Sequence, residues 1–296
     1  MSADCNVVLL AAGRSRRLGF DKILTPLAGK PAFRHALDVL CSCPESGRLI
    51  LVTRDDLVET FFRQLTALEL HLPWEVISGG EERQDSVLKG LKACDPELPM
   101  VVIHDAARPL LTRDLVTQVV TKARISGAAI CGKPCADTLK RSSPEQVIIE
   151  TIPRESIWLV ETPQVFRLQL ILSAYEKVAE EGARITDDAS AMEYAGHPVS
   201  LVATPTVNLK ITNPADWSLL EALLSTGRQA EIRHLLHQAN NHFMPISGYV
   251  PLLAKYRENE SQHASYIATI RQATTEVLED IRAAQFLLRE SNQPKS

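Results

Sequence analysis

An α/β fold with a mostly parallel sheet is predicted by two features. Short aliphatic or β-branched runs alternate with helix-length amphipathic segments, and the alternation repeats four times. Parallel neighbours cannot be joined by a hairpin, so each repeat implies a crossover helix. The first run, 6–10, reads as a buried strand. Segments 48–53, 74–78, 100–104 and 128–132 have the same length and aliphatic character. Between them, 32–40, 57–68, 85–93 and 113–126 place apolar residues three and four apart, and Thr112 stands where a helix N-cap is wanted.

The alternation stops at Pro134. From 134 to 162 no helical period persists, and Val147-Ile148-Ile149, set between Ser142-Ser143-Pro144 and Pro153, predicts an extended β-arm over about 134–160. Regular structure resumes with a helix near 168–180, a short helix after Thr186, strands at 199–203 and 208–211, and a helix opened by Asn213 at the cap and Pro214 at its first turn. The expected architecture is a Rossmann-like, mostly parallel sheet with helices on both faces and a protruding arm, filling residues 1–226. Residues 227–296 differ in character. Helical segments at 228–240, 249–256 and 262–290, punctuated by Pro245, Gly248 and Pro251, form a C-terminal helical extension of unassigned role. In the last segment Ile267, Ile270, Thr274, Val277, Ile281, Ala284 and Leu288 keep a 3-4 spacing that a coiled coil would use. Leu278 and Leu287 widen that stripe and Thr274 weakens it, which favours packing in a small bundle or on the first domain.

Composition limits the function classes. With 296 residues, 45% hydrophobic and 23% charged, the chain has the makeup of a folded globular protein. Its 32 basic and 36 acidic residues give a net charge of −4, so no nucleic-acid partner is expected and any anion site must be local. No apolar run approaches the length of a membrane span. Without a basic leader or cleavage signal, the chain reads as cytoplasmic, and its six cysteines, lacking zinc or redox spacing, as reduced. His234, His237 and His242 in the extension have no neighbouring carboxylates to make a metal site.

The chemistry-bearing residues cluster at strand ends. After the first strand comes Leu10-Ala11-Ala12-Gly13-Arg14-Ser15-Arg16-Arg17-Leu18-Gly19-Phe20-Asp21-Lys22, where small residues allow close backbone approach to a ligand and Arg17 and Lys22 add positive charge. It matches neither Gly-x-x-x-x-Gly-Lys-Ser/Thr nor Gly-x-Gly-x-x-Gly. Asp105, directly after Val101-Val102-Ile103-His104, stands where open α/β sheets place ligands. His104 reads as structural.

Ala-Ala-Gly-x-x-x-Arg with a following Lys resembles the sugar-phosphate nucleotidyltransferases. Six further segments follow in order: Gly79-Gly80-Glu81-Glu82-Arg83-Gln84-Asp85-Ser86-Val87, His104-Asp105-Ala106-Ala107-Arg108-Pro109, Asp137-Thr138-Leu139-Lys140-Arg141, Glu161-Thr162-Pro163-Gln164-Val165-Phe166, Ile185-Thr186-Asp187-Asp188-Ala189-Ser190 and Asn208-Leu209-Lys210-Ile211-Thr212. Together, over about 5–225, they resemble the 2-C-methyl-D-erythritol 4-phosphate cytidylyltransferases of the non-mevalonate isoprenoid pathway. That resemblance implies cytidylyl transfer from CTP to the phosphate of methylerythritol phosphate, with release of pyrophosphate. It implies Mg²⁺ held by Asp105, catalytic roles for Arg17, Lys22, Lys210 and Arg154, and nucleotide contacts from Ala11, Ala12, Gly13, Gly80, Glu81, Ser86 and Ala106. It also implies acceptor contacts from Arg108, Thr138, Arg154, Thr162, Thr186 and Lys210, and a homodimer in which the arm carries Arg154 to the neighbouring site. Leu10 stands where the family usually has Pro, Glu81 where Asp is common, and 19–24 is shorter than usual and resembles the Gly-x-Asp-Lys of molybdenum-cofactor guanylyltransferases. A different polyol phosphate, such as ribitol 5-phosphate, or a non-catalytic nucleotide-binding assembly protein remain the alternative readings at this stage.

Overall fold

The computed structural model describes residues 3–13, 21–226 and 260–291. Arg17 and the expected helices at 228–240 and 249–256 lie outside the described residues. The chain divides into two compact units, one of residues 1–25 and 31–216, the other of residues 26–30 and 217–296.

In the first unit, seven strands form one sheet. β1 (Cys5–Leu10) is buried along its whole length and pairs in parallel with β4 (Ser46–Thr53) on one side and β6 (Met100–Asp105) on the other. β5 (Trp74–Ser78) continues the parallel set beyond β4, and the full order is β11-β7-β10-β6-β1-β4-β5. β7 is Ala128–Pro134, β10 Trp158–Arg167 and β11 Ser200–Ala203. Side chains alternate across β1: Val8 and Leu10 join the apolar core built with α3 (Arg83–Lys92), α5 (Leu168–Glu180) and α6 (Asp188–Tyr194). Val7 and Leu9 face the other way, toward the side covered by α1 (Ala32–Ser42) and α4 (Arg113–Ser126), which pack on one another. Phe33 of α1 meets Phe61 of α2 (Val58–Thr66) edge to face, with ring centroids 5.0 Å apart. On the opposite face α3 presses close to the sheet. A Cβ at Gly90 would come within 2.7 Å of Val8 Cγ1, so a larger residue there would push the helix off the strand.

The expected strands and helices of the first half are present, with ends shifted by a few residues; Thr112 caps α4, its hydroxyl accepting the Leu115 N–H at 3.3 Å. β10 is the strand the sequence pattern did not predict. It runs antiparallel between β6 and β7, and its ladder shifts register between Glu161 and Gln164, around Pro163. Polar Thr162 and Gln164 hide its alternation, because both are buried, Thr162 accepting the Asp105 N–H and Gln164 the Ala189 N–H. The expected strand at 208–211 is absent. That segment is tied to a loop instead, Ile211 donating its N–H to Ala107 O at 2.8 Å, so no ladder forms. The arm is present as a hairpin of β8 (Leu139–Ser142) and β9 (Ile148–Ile152).

In the second unit, β2 (Pro26–Leu27) and the start of β3 (Lys30–Pro31) fall with the C-terminal residues. Glu221, on the helix α7 (214–226), accepts the Ala28 N–H at 3.0 Å. Asn213 caps that helix as expected, accepting the Asp216 N–H at 3.0 Å. The unit boundary after Asp216 assigns most of α7 to the second unit, earlier than the expected division at 226. α8 (Glu260–Ser291) is one continuous helix that contains the expected 262–290. No described helix is long and apolar enough to cross a membrane.

Candidate active site

Because β1, β4, β5 and β6 are parallel, the loops that leave their carboxyl ends gather on one edge of the sheet. The chain steps from β1 outward through β4 and β5, then returns to the other side of β1 as β6. In open α/β sheets the ligand crevice lies where the order reverses, which here is between β1 and β6. Ala11 to Gly13 leave β1 there, Gly79 and Gly80 leave β5, and Asp105 to Arg108 leave β6.

Gly79 and Gly80 have a steric reason for lacking side chains. A Cβ at Gly79 would lie 2.6 Å from Ser86 Oγ and 3.1 Å from Ala12 Cβ, and one at Gly80 would lie 2.2 Å from Asp85 Cβ. The loop is drawn onto the start of α3, where Ser86 Oγ accepts the Gly80 N–H at 3.0 Å and donates to Glu82 O at 3.2 Å. Asp85 completes the cap by accepting the Glu82 N–H at 2.9 Å.

Asp105 is the hub. Its backbone N–H donates to Thr162 Oγ1 at 3.1 Å, Lys210 donates to Oδ2 at 2.6 Å, and Arg83 Nε approaches Oδ1 at 3.4 Å. Arg83 is itself clamped: its two terminal nitrogens donate to the two oxygens of Asp188, both at 2.8 Å, and Tyr175 donates its hydroxyl to Asp188 Oδ1 at 2.6 Å. Burial opposes ionisation of Asp105, but Arg83, Lys210 and Arg108 outweigh it and hold the carboxyl far below the usual range. Burial also weakens the charge on Arg83, yet Asp188 and Asp105 keep it protonated beyond the ordinary arginine value.

His104 is fully buried, and burial lowers its pKa to about 4 despite the Asp105 charge beside it. Nε2 faces the Arg108 carbonyl at 3.3 Å and must therefore carry the proton, leaving Nδ1 to accept from the Thr162 hydroxyl at 3.0 Å. This neutral ring is structural, as its sequence position suggested. Arg108 donates to Asn208 O at 2.6 Å, and Asn208 donates to Thr162 O at 2.8 Å, which brings the 208–212 segment onto the β6 loop. Lys22 donates to Ile211 O at 2.7 Å, so its ammonium lies beside the same segment as Lys210.

A family model described as 2-C-methyl-D-erythritol 4-phosphate cytidylyltransferase matches residues 5–226. The chain belongs to the 2-C-methyl-D-erythritol 4-phosphate cytidylyltransferase family. Among curated relatives of that name, the protein of Dehalococcoides mccartyi (strain CBDB1) is 40% identical over 77% of this chain and 99% of its own length. That of Bacillus licheniformis is 37% identical over 76% and 97%. Solved structures agree: a 4-diphosphocytidyl-2C-methyl-D-erythritol synthase from Anaerococcus prevotii superposes with a TM-score of 0.67 at 26% identity, covering 74% of this chain and 95% of that one. The cytidylyltransferase of Thermus thermophilus gives 0.63 at 30% identity, covering 76% and 99%. This chain is therefore an enzyme, a nucleotidyltransferase whose reaction is cytidylyl transfer in the isoprenoid pathway.

The family-based expectations for single residues fare differently. Asp105, Lys210, Arg108 and Thr162 are brought together, and Lys22 is alongside. Thr162, expected at the acceptor, is turned inward, its hydroxyl shared by the Asp105 amide and His104; buried at this position, it orients Asp105. Ala106 and Ala11, expected to reach nucleotide through backbone, spend their N–H groups on Leu10 O at 2.9 Å and Val52 O at 2.7 Å. They set the shape of the crevice, and Ala12 and Gly13 form the part of that loop beyond the Ala11–Val52 bond. Ser86 likewise commits its hydroxyl to the Gly79–Gly80 turn, while Glu81 is exposed beside it. Thr186 is exposed at the N-terminal end of α6. Thr138 and Arg154 are exposed on the arm, where Arg154 donates to Ala136 O; among the described residues no hydrogen bond or ion pair joins them to Asp105 or Lys210.

Sequence reasoning missed Arg83, Asp188 and Tyr175. Arg83 and Asp188 lie inside the segments singled out for the resemblance, but each opens a helix and has no nearby partner in the sequence to mark it. Only the fold brings together two residues 105 positions apart.

Proposed function

We propose that the crevice binds CTP with its triphosphate at Ala12, Gly13, Lys22, Asp105 and Lys210 and its base at the Gly79–Gly80 turn, and that 2-C-methyl-D-erythritol 4-phosphate is seated by Arg108, Lys210 and Thr186. The observation that carries this reading is the Asp105–Lys210 pair at the carboxyl end of β6, 2.6 Å apart, beside a loop of small residues. A phosphate oxygen of the acceptor attacks the α-phosphorus in line, a new P–O bond forms, and the bond to the bridging oxygen breaks as pyrophosphate leaves. The substrate supplies the nucleophile, so the protein's part is positioning and neutralising charge. Lys210, more than a third exposed, is free to turn from Asp105 to a phosphate, and Lys22 adds a second positive charge along the same segment.

The donor set fits a hard cation accompanied by nucleotide. Asp105 is held ionised, and no cluster of three metal-binding side chains occurs among the described residues, so a magnesium ion would take Asp105 together with substrate phosphate oxygens. Such an ion supplies charge neutralisation on the triphosphate. Arg17 belongs to the same loop by sequence and lies outside the described residues.

The arm supports a homodimer. Val147, Ile148 and Ile149 are 62–64% exposed, and Leu159 and Val160 extend the apolar surface. In that arrangement Arg154 and Thr138 serve the neighbouring subunit's site. A cytoplasmic setting fits the six free cysteines, all buried, with Cys131 and Cys94 pushed up to about 12 by burial and so unreactive. Residues 1–226 serve as the transferase domain, and 227–296 as a C-terminal extension.

The test is pyrophosphate release from purified protein with Mg²⁺, methylerythritol phosphate and each of the four nucleoside triphosphates in turn. Release with CTP well above the other three is expected. No release with CTP, or a clear preference for ribitol 5-phosphate as acceptor, overturns the assignment.

A further inference from the structure

Asp105 has two cationic partners of opposite character. Lys210 makes the shorter contact, 2.6 Å, from a flexible side chain that is 38% exposed. Arg83 makes the longer one, 3.4 Å, but cannot wander, because both its terminal nitrogens are locked on Asp188 and Asp188 is locked by Tyr175. Asp188 is fully buried, and its neighbour Ala189 donates its N–H to Gln164 Oε1 at 3.0 Å, which pins the start of α6 to β10. The clamp thus joins α3, α5, α6 and the end of β6 at one guanidinium.

When Lys210 leaves for a phosphate, Asp105 loses its nearer partner. A buried carboxylate left without a partner on one side would turn away from its position. We propose that Arg83 is a positioning residue for the transfer step: anchored by Asp188 and Tyr175, it keeps the Asp105 carboxylate oriented while Lys210 moves to substrate, and it touches neither substrate itself. This rests on the assignment of Asp105 and Lys210 to the triphosphate site above. Lysine cannot replace it, since one ammonium cannot make the paired bonds to Asp188 and also reach Asp105.

The experiment compares Arg83→Lys and Tyr175→Phe with the unmodified full-length chain, measuring kcat and KM for both substrates, thermal midpoint, and calorimetric CTP affinity in EDTA. Arg83→Lys is expected to lower kcat at least about tenfold while both KM values and the metal-free CTP affinity stay within about threefold. Tyr175→Phe, which loosens the anchor without removing it, should lower kcat by about threefold in the same pattern. Unchanged kcat in Arg83→Lys overturns the proposal, as does a rise in KM at constant kcat, which would make Arg83 a substrate ligand. A kcat loss in both variants that is matched by loss of folded protein also overturns it, leaving only a structural role. Failure of the unmodified chain to turn over CTP would refute the underlying site assignment, a result separable from all of these.

Discussion

At the carboxyl end of β6 the charged groups are inside: Asp188 is fully buried and Asp105 nearly so, each held by cationic and hydroxyl partners. On the β8–β9 arm the apolar groups are outside, and Ile148 is 63% exposed. Both regions invert the usual rule of polar surface and apolar core. Buried paired charges are arranged in advance for a charged ligand that will rearrange them. A two-stranded ribbon is marginal by itself, and its exposed apolar side chains are the surface through which the proposed dimer would form.

The comparison can be broken by disturbing each region separately. The largest effect is expected at the charged site: Lys210→Ala should lower kcat/KM by about a hundredfold to a thousandfold, the range for removing one preorganised charge-stabilising group. Steady-state kinetics at saturating Mg²⁺ checks this, and a loss below about tenfold would remove Lys210 from the transfer step.

The arm is expected to act through assembly rather than folding. Replacing Ile148 and Ile149 by lysine places charge on an apolar contact surface, so sedimentation should report a monomer with activity down about tenfold and a thermal midpoint within a few degrees of the unmodified chain. An intact dimer with full activity would show that the exposed ribbon has another use. The two regions meet in a mixing test. Heterodimers of Arg154→Ala and Lys210→Ala chains should regain about one intact site in two if Arg154 serves its partner, because each defect then falls in the same site. No recovery in verified heterodimers would mean that each site is built within one chain.

A smaller effect is expected at Gly80. In Gly80→Ala the new methyl group must displace Asp85, costing about 1–3 kcal/mol and raising the KM for CTP more than that for the acceptor. Thermal unfolding and the two KM values test both parts.

The last effect is a pH dependence of stability. His104 stays neutral in the folded chain down to about pH 4, whereas the unfolded chain takes up its proton near the ordinary value of 6.5. The unfolded state therefore binds more protons between those limits, and stability falls as pH drops through that window, by up to about 3 kcal/mol from this residue. His104→Gln should lose stability less steeply than the unmodified chain between pH 6.5 and 4.5; identical slopes would show that His104 does not titrate differently on folding.

Much of this fold was legible in one dimension because parallel strands and their crossover helices repeat locally, and 6–10 or 113–126 carry their period within themselves. The ligand edge was legible too, since Ala11-Ala12-Gly13 and Gly79-Gly80 each follow a strand immediately and Asp105 ends one. β10 was not, because its polar residues look outward in the sequence and are buried in the structure, and neither was the 208–212 segment, whose partner is a loop. Equally hidden was the ion chain from Tyr175 through Asp188 and Arg83 to Asp105 and Lys210. Charges with no local partner look alike whether they end in solvent or in a clamp. Local residue patterns were enough for the parallel strands, most helices and the strand ends that carry the chemistry. Tertiary contacts alone decided which arginine stands behind the Asp105–Lys210 pair, because those bonds join residues 105 positions apart, where no local pattern can encode them.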